Sequence, residues 1–190
     1  MSEKGIVMTG ESVRAILAGR KTQTRRVIKP QPALRPVVLD MGTLNDETGK
    51  WVYAKPQYRP GDILWVRETW GVGIQMSGGV IYKANYLDAC APLADGEKWR
   101  SSRFMPRAAA RLFLRVTDVR AERVQEISEA DAIAEGRRAG DTYSETSSYA
   151  TTARQSYMWL WDKINGKSGH GWIKNDWVWV YTFERVDEPC

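Results

Sequence analysis

The amino-acid sequence predicts an α+β fold, with five or six short strands and three short helices in a single domain. Apolar and polar residues alternate in several segments of strand length, whereas three other segments carry apolar residues at helical spacing. The chain has 190 residues, of which 43% are hydrophobic, and this size suits one domain with a core of its own. Several short strands with few helices indicate α+β rather than an all-helical fold.

The first predicted elements are a strand at Gly5–Met8 and a short amphipathic helix that begins near Glu11. The helix is indicated by one apolar stripe at i, i+3 and i+4, formed by Val13, Ile16 and Leu17. Thr9 or Ser12 can cap its start, and Gly19 is well placed to end it.

A strongly polar segment follows this helix. It holds four cations and two hydroxyls in seven positions: Arg20, Lys21, Thr22, Gln23, Thr24, Arg25 and Arg26. From the spacing alone, a solvated basic turn explains it as well as a ligand site does. If the segment is extended, Lys21 and Thr24 face opposite sides, so they can act together only if the chain turns between them.

Residues 29–60 are predicted to be a Pro-rich insertion, such as a flap, and not a second domain. Helix is disfavoured there by five prolines: Pro30, Pro32, Pro36, Pro56 and Pro60. Within it, Val37–Leu39 and Trp51–Tyr53 are predicted to pair as a small hairpin across the turn Asn45–Gly49.

Three further strands are predicted at Ile63–Thr69, Val80–Ala84 and Arg111–Arg120. Alternation in the first of them places Arg67 and Glu68 on opposite faces, each after apolar positions. Either charge can line a cleft at the end of the strand, and a surface ion pair is the simpler interpretation.

The segment at residues 99–107, WRSSRFMPR, combines aromatics, hydroxyls and three arginines. Such a mixture can bind a phosphate and stack a base, for instance through Ser101 and Arg103. It equally suits an ordered loop in which Trp99 and Phe104 point inward.

A second helix is predicted at Ala130–Glu135. Ser128 caps its start, with Asp131 as an acidic near-equivalent of a capping box, and Gly136 ends it. The Ser/Thr-rich residues 137–152 then predict a mobile loop.

The last elements are a helix at Ala153–Ile164 and a strand at Asp176–Arg185. The helix carries an apolar stripe that predicts a core face: Tyr157, Leu160, Trp161 and Ile164. Both faces of the strand are apolar, which is typical of a central strand. His170 lies between glycines and is predicted to be a solvated loop residue.

Composition limits the function classes. The net charge of +5 permits a polyanionic partner without requiring one. Cys90 and Cys190 are far apart and His170 is the only histidine, so no metal site and no cofactor are expected. Two lone cysteines suit a reducing cytoplasm. The sequence contains no apolar run of about 18 residues, so no membrane helix is predicted.

A family resemblance appears at the polar segment. The order G-x-K-x-x-T-x-R, formed by Gly19, Lys21, Thr24 and Arg26, resembles the signature of the ASCH domain family, relatives of the PUA RNA-binding fold. Ile16–Thr22 (ILAGRKT) resembles the branch of bacterial N4-acetylcytidine amidohydrolases, and the whole chain looks more like larger, phage-associated ASCH proteins. The resemblance implies a small, partly open β-barrel with short helices covering its ends.

The resemblance also implies a catalytic triad of Lys21, Thr24 and Glu135, the last from the segment ISEADAIAEG. A lysine base at neutral pH needs a pKa lowered by about three units, which costs about 4 kcal/mol. A carboxylate beside Lys21 opposes this, so Glu135 is expected to lie away from the amine. Alternatively, a charged Lys21 stabilises an oxyanion and Glu135 is the base.

The expected function is hydrolysis of an N4-acylated cytidine or a similar modified base. A non-catalytic binder of RNA, DNA or a modified base, and a metal-independent ribonuclease, are the alternatives. Six residues are predicted to bind the substrate: Arg25, Arg26, Glu68, Trp70, Ser101 and Arg103. The expected partner is a nucleoside or a nucleic acid with a modified base, bound by a cytoplasmic monomer.

Overall fold

The structure is a computed structural model that describes residues 2–32, 37–39, 43–45, 51–52, 55–74, 79–86, 93, 98–142 and 148–188. The chain forms two compact units. The first comprises Met1–Gly19, Gly61–Arg115 and Glu184–Cys190, and the second comprises Arg20–Pro60 and Val116–Phe183.

In chain order the helices and strands are β1 (Glu3–Val7), α1 (Gly10–Leu17), β2 (Gln23–Val27), β3 (Val37–Leu39), β4 (Thr43–Asn45), β5 (Trp51–Val52), β6 (Ile63–Arg67), β7 (Trp70–Val72), β8 (Val80–Tyr82), β9 (Phe113–Arg123), α2 (Glu129–Ala134), α3 (Ala153–Asn165) and β10 (Trp177–Val186). Five of the strands form one sheet in the order β1-β6-β9-β10-β2. The fold is therefore mixed α+β, as predicted, and its five-stranded sheet is not closed into a barrel by the described strands.

Within the first unit, β1 runs parallel to β6, and β6 runs antiparallel to the start of β9. Leu64, Val66 and Leu114 are fully buried, because these positions lie on the apolar face that the alternation predicted. Helix α1 begins and ends as expected. Thr9 Oγ1 accepts a hydrogen bond from Ser12 N at 3.2 Å, and Gly19 has a φ of 69°.

The core of the second unit lies between α2, α3 and one face of β10. It consists of Val124, Ile127, Ala132, Ala153, Tyr157, Trp161, Val178 and Val180. Val180 pairs directly with Arg25 of β2, so Arg25 leaves its strand on the side of the helices. The predicted stripe of α3 is wrong at Ile164, which is 52% exposed, because the core ends at Trp161.

The pairing of β3, β4 and β5 differs from the predicted hairpin. Strands β3 and β5 lie where expected, but they do not pair with each other. Both pair antiparallel with β4, which lies between them and was not predicted. Only three residues separate β3 from β4, so a shorter hairpin replaces the expected one.

The predicted mobile loop comprises residues 137–152, of which positions 143–147 lie outside the described residues. On either side of them, Thr142 and Tyr149 form an antiparallel bridge. Asp141 accepts a hydrogen bond from Ser156 at 2.7 Å and forms an ion pair with Arg137 at 3.0 Å. The described ends of this segment are therefore bound to α3 and to each other.

No helix within the described part of the chain combines the length and the apolar character that crossing a bilayer demands.

Candidate functional site

Lys21 and Glu135 meet in the second unit, where the polar segment runs across the end of α2. Their backbones form an antiparallel bridge. The next residue, Thr22, donates from its backbone N to Ala134 O at 2.7 Å. Residues 114 positions apart are thus held together by main-chain hydrogen bonds before any side chain is considered.

Glu135 is held in place by a Schellman motif that ends α2. Gly136 N donates to Ile133 O at 2.8 Å, and Arg137 N donates to Ala132 O at 3.0 Å. The motif needs a left-handed residue at Gly136, whose φ is 88°. The predicted helix end is therefore confirmed, and it places Glu135 as the last residue of the helical backbone.

Replacing Gly136 by alanine is expected to lower the free energy of unfolding by about 1–2 kcal/mol, because a Cβ is strained at this φ. Gly136→Asn should cost less, since asparagine tolerates the left-handed region. Urea denaturation measures both. Gly79→Ala is the matched control, because a Cβ there meets no atom within 4 Å. An equal loss in Gly136→Ala and Gly79→Ala would contradict the role of the motif.

The amine of Lys21 is buried and fully bonded. Its Nζ donates to Gln23 O at 2.7 Å, to Glu135 O at 3.1 Å and to the Glu135 carboxylate oxygen Oε2. The two side chains are only 3% and 4% exposed. An ammonium has three protons, and each one has an acceptor here.

Arg25 binds the other oxygen of the Glu135 carboxylate. Arg25 Nη1 lies 3.3 Å from Glu135 Oε1, and the Arg25 side chain is fully buried. Its Nε donates to Glu122 at 2.7 Å, and its Nη2 lies 3.6 Å from Asp131. Glu135 is therefore held between two cations.

A third cation balances the cluster. Arg120 lies 3.3 Å from Glu122 and 3.0 Å from Asp131. The group thus contains three cations (Lys21, Arg25, Arg120) and three carboxylates (Glu122, Asp131, Glu135). Lys21, Arg25 and Glu135 are its buried members, and buried charges are stable only when they are compensated.

Burial lowers the pKa of Lys21, because an ammonium removed from water is disfavoured. The Glu135 carboxylate opposes this, whereas Arg26 and Arg25 act in the same direction as burial, and the pKa of Lys21 lies below its ordinary value. The expectation that Glu135 lies away from the amine is wrong. The bridge and the short helix bring the carboxylate into direct contact with it.

Thr24 leaves β2 on the side opposite to Arg25. It is directly paired with Tyr181 and is buried, and its Oγ1 accepts a hydrogen bond from Arg26 at 2.8 Å. The turn that would let Lys21 and Thr24 act together is absent, since β2 starts two residues after the Lys21 bridge. Thr24 and Lys21 therefore have different neighbours, and a catalytic role for Thr24 stays a prediction.

The side of β2 that carries Thr24 is lined by aromatic rings. Tyr181 and Tyr58 meet edge to face with their ring centroids 5.0 Å apart. The Tyr181 hydroxyl accepts a hydrogen bond from Gln57 N at 3.1 Å, and burial raises its pKa to about 12. The Tyr181 hydroxyl is therefore neutral at physiological pH.

Sequence reasoning missed the charged neighbours of the Lys21–Glu135 pair. Glu122 and Arg120 alternate along β9, where they look like ordinary surface positions of a strand. Asp131 was recognised only as a helix-capping residue, which it also is, since Ser128 Oγ accepts from its backbone N at 3.0 Å. Tyr157, with its ring 5.7 Å from the Arg25 guanidinium, was assigned to the core alone.

The remaining predicted binding residues lie in the first unit. Glu68 is only 1% exposed, and its two carboxylate oxygens accept from Arg111 at 2.8 and 3.0 Å. Arg111 also donates to Asn85 at 2.9 Å and lies over the Tyr82 ring at 4.0 Å. Glu68 therefore belongs to a buried ion pair and not to a surface one.

The backbone of Trp70 pairs with that of Arg100, and Ser101 and Arg103 come shortly after Arg100 in the chain. Trp70 is buried, Ser101 caps a short 3-10 turn at Ser102–Phe104, and Arg103 is exposed. Phe104 does not point inward, since it is 78% exposed. The substrate-binding roles of these residues stay predictions.

Comparisons with known proteins assign no family. No family model matches the chain, and no curated protein matches it. A solved structure with some similarity is the crystal structure of protein EF3133 from Enterococcus faecalis V583, of the family DUF984. The two chains are 12% identical, the match covers 98% of this chain and 77% of the other, and the TM-score is 0.44. Similarity at this level does not support an inference about function.

Proposed function

We propose that this chain is an ASCH-type domain, with a PUA-like, partly open barrel, that hydrolyses the acyl amide of an N4-acylated cytidine or a similar modified base. The observation that supports the proposal is the buried contact between Lys21 and Glu135. The sequence resemblance assigned both residues to one site, although they lie 114 positions apart. A carboxylate beside a cation can serve amide hydrolysis at neutral pH, because one group can take a proton from water and the other can stabilise the oxyanion.

Glu135 acts as the general base in this mechanism. Its carboxylate takes a proton from a water molecule as the water oxygen forms a bond to the acyl carbon. The electrons of the carbonyl double bond move to its oxygen, and the Lys21 ammonium donates a hydrogen bond to this oxyanion. The C–N4 bond then breaks, and Glu135 returns its proton to N4. The products are a cytidine and a carboxylic acid.

Lys21 must exchange one of its present acceptors for the oxyanion, because all three of its protons are bonded. In a buried site of low dielectric, its ammonium makes a stronger hydrogen bond than a solvated lysine does. Arg25 remains on the other oxygen of Glu135 during this exchange, so the carboxylate keeps its position. Arg25 is thus a positioning residue for the base.

The same bonding pattern favours a second candidate function, recognition of a modified base without turnover. An ammonium whose three protons are all bonded within the protein serves structure as well as it serves catalysis. In that case the polar segment and α2 hold a binding surface in shape, and no bond of the ligand is broken. We further propose that the protein works as a monomer and that it works in the cytoplasm, a reducing compartment that suits its two lone cysteines.

Incubation of the protein with N4-acetylcytidine, followed by chromatography for cytidine, tests the proposal. Release of cytidine at the same rate with and without chelator is the expected result. A variant of an exposed ion pair, Arg115→Ala, serves as the control and should retain full activity. Binding of N4-acetylcytidine without cytidine release would instead establish the second candidate.

Thr24→Val is expected to lower turnover less than tenfold, because the attacking group is water and Thr24 faces away from Lys21. The steady-state rate of cytidine release measures this. Thr24→Ser, which keeps the hydroxyl that accepts from Arg26, should be indistinguishable from the natural protein. Loss of turnover in Thr24→Val with full activity in Thr24→Ser would show that Thr24 is the nucleophile.

A further inference from the structure

The loop around Phe104 in the first unit presents an aromatic ring to solvent. Phe104 is 78% exposed, although phenylalanine is ordinarily buried in folded proteins. Single exposed apolar residues are common on protein surfaces, so exposure alone carries no conclusion. Two further observations distinguish this ring from an ordinary surface residue.

The first observation is that the loop is anchored on both sides of the ring. Trp70 and Arg100 exchange two backbone hydrogen bonds, at 3.3 and 2.7 Å. Phe104 N donates to Ser101 O at 3.0 Å. The next residue, Met105, is 2% exposed and packs against Trp70 and Ala109. The ring is therefore held outward by a fixed backbone, which reduces the entropy that a ligand must overcome on binding.

The second observation is the charge of the sequence segment that carries the ring. From Lys98 to Thr117 the sequence contains six cations and no acid. The last three of these cations pair with carboxylates of the first unit: Arg107 with Glu3, Arg111 with Glu68 and Arg115 with Glu184. Lys98 and Arg103 are exposed, and neither forms an ion pair with a carboxylate in the described part of the chain.

We infer that this loop binds single-stranded nucleic acid, with an unpaired base stacked on Phe104 and a backbone phosphate held by Arg103. Base stacking on exposed aromatic rings beside cations is the general mode of binding for single strands. A protein partner would more commonly meet a larger apolar core with a polar rim. The backbone phosphates of a single strand supply the negative charge that the loop lacks.

Fluorescence anisotropy with labelled single-stranded RNA and DNA of the same mixed sequence, roughly 12 nucleotides long, tests the inference. Phe104→Ala should weaken binding by roughly 5-fold to 100-fold, while Phe104→Trp should bind at least as well as the natural protein. Phe104→Leu should behave like the alanine variant, because it keeps apolar surface but has no π-face. Ile173→Ala, which removes another exposed apolar side chain, should change nothing.

Salt dependence tests the phosphate contact separately. Arg103→Gln should reduce the slope of log affinity against log salt by about 0.7, the value for one phosphate contact on a single strand. Tighter binding of a poly-glutamate peptide than of RNA would overturn the inference, as would equal binding of a fully paired duplex. Unchanged affinity in Phe104→Ala would do the same. Because the probes carry no acyl group, these results do not depend on whether the protein is an amidohydrolase.

Discussion

Glu135→Gln is expected to lower the rate of N4-acetylcytidine hydrolysis by roughly 10²-fold to 10⁴-fold, the usual contribution of a general base. The amide has the shape of the carboxylate and still accepts a hydrogen bond from Lys21, but it cannot take a proton from water. Single-turnover chromatography of cytidine measures the loss. Glu135→Asp should retain part of the activity, since a carboxylate remains, set back by one methylene group.

The control for this experiment must separate chemistry from folding, because Glu135 also compensates the charge of Lys21. Circular dichroism and urea denaturation of Glu135→Gln establish that the variant is folded at the assay temperature. Binding of N4-acetylcytidine should be unchanged within a few fold. A folded Glu135→Gln variant with the turnover of the natural protein would refute the proposed base.

Arg25→Met is expected to give the largest loss of stability, about 3–5 kcal/mol, as is typical when one partner of a buried ion pair is removed. The Arg25 side chain is fully buried and lies among three carboxylates: Glu122, Asp131 and Glu135. Methionine fills a similar volume but leaves these acids with less positive charge. Urea denaturation at neutral pH measures the change in the free energy of unfolding.

Lowering the pH should reduce the loss of stability that Arg25→Met causes. Burial acts to raise the pKa of Asp131, but its hydrogen bond with Ser128 and the charges of Arg25 and Arg120 outweigh burial and hold the pKa below its ordinary value. A carboxylate with a lowered pKa contributes stability above its unfolded pKa and loses it as the pH falls through the folded one. The loss in Arg25→Met should therefore shrink below about pH 4.

Two comparisons make the Arg25 result decisive. Arg115→Met removes a cation from a pair whose side chains are 48% and 51% exposed, and it should cost less than about 1 kcal/mol. Adding Glu122→Gln to Arg25→Met should restore part of the stability, because one uncompensated charge is removed. Equal losses in Arg25→Met and Arg115→Met would show that the buried network does not stabilise the second unit.

Much of the local structure could be predicted from the sequence. The caps at Thr9, Gly19, Ser128 and Gly136 all lie where expected. Each depends on residues within about five positions, so a short stretch of sequence contains the whole interaction. The strands that begin at Ile63 and Trp177 were likewise predicted, since alternation of apolar residues reflects burial directly.

Elements that depend on distant partners were predicted less well. Strand β4 has little apolar character of its own in the sequence TLN, and it exists because β3 and β5 both pair with it. Ile164 continues the spacing of the α3 stripe but lies beyond the core that the helix packs against. Periodicity indicates which residues favour burial and does not show where the packed surface ends.

The sequence alone determined the α+β class and the helix ends, and its resemblance to a family predicted that Lys21 and Glu135 share one site. Only the tertiary structure decided that the two side chains touch and that Arg25 also binds the Glu135 carboxylate. It likewise decided that Thr24 lies on the face of β2 opposite to Arg25. The reason is physical. Helix caps and strand alternation depend on residues that are close together in the chain. The energy of a buried charge depends instead on every group that folding places around it.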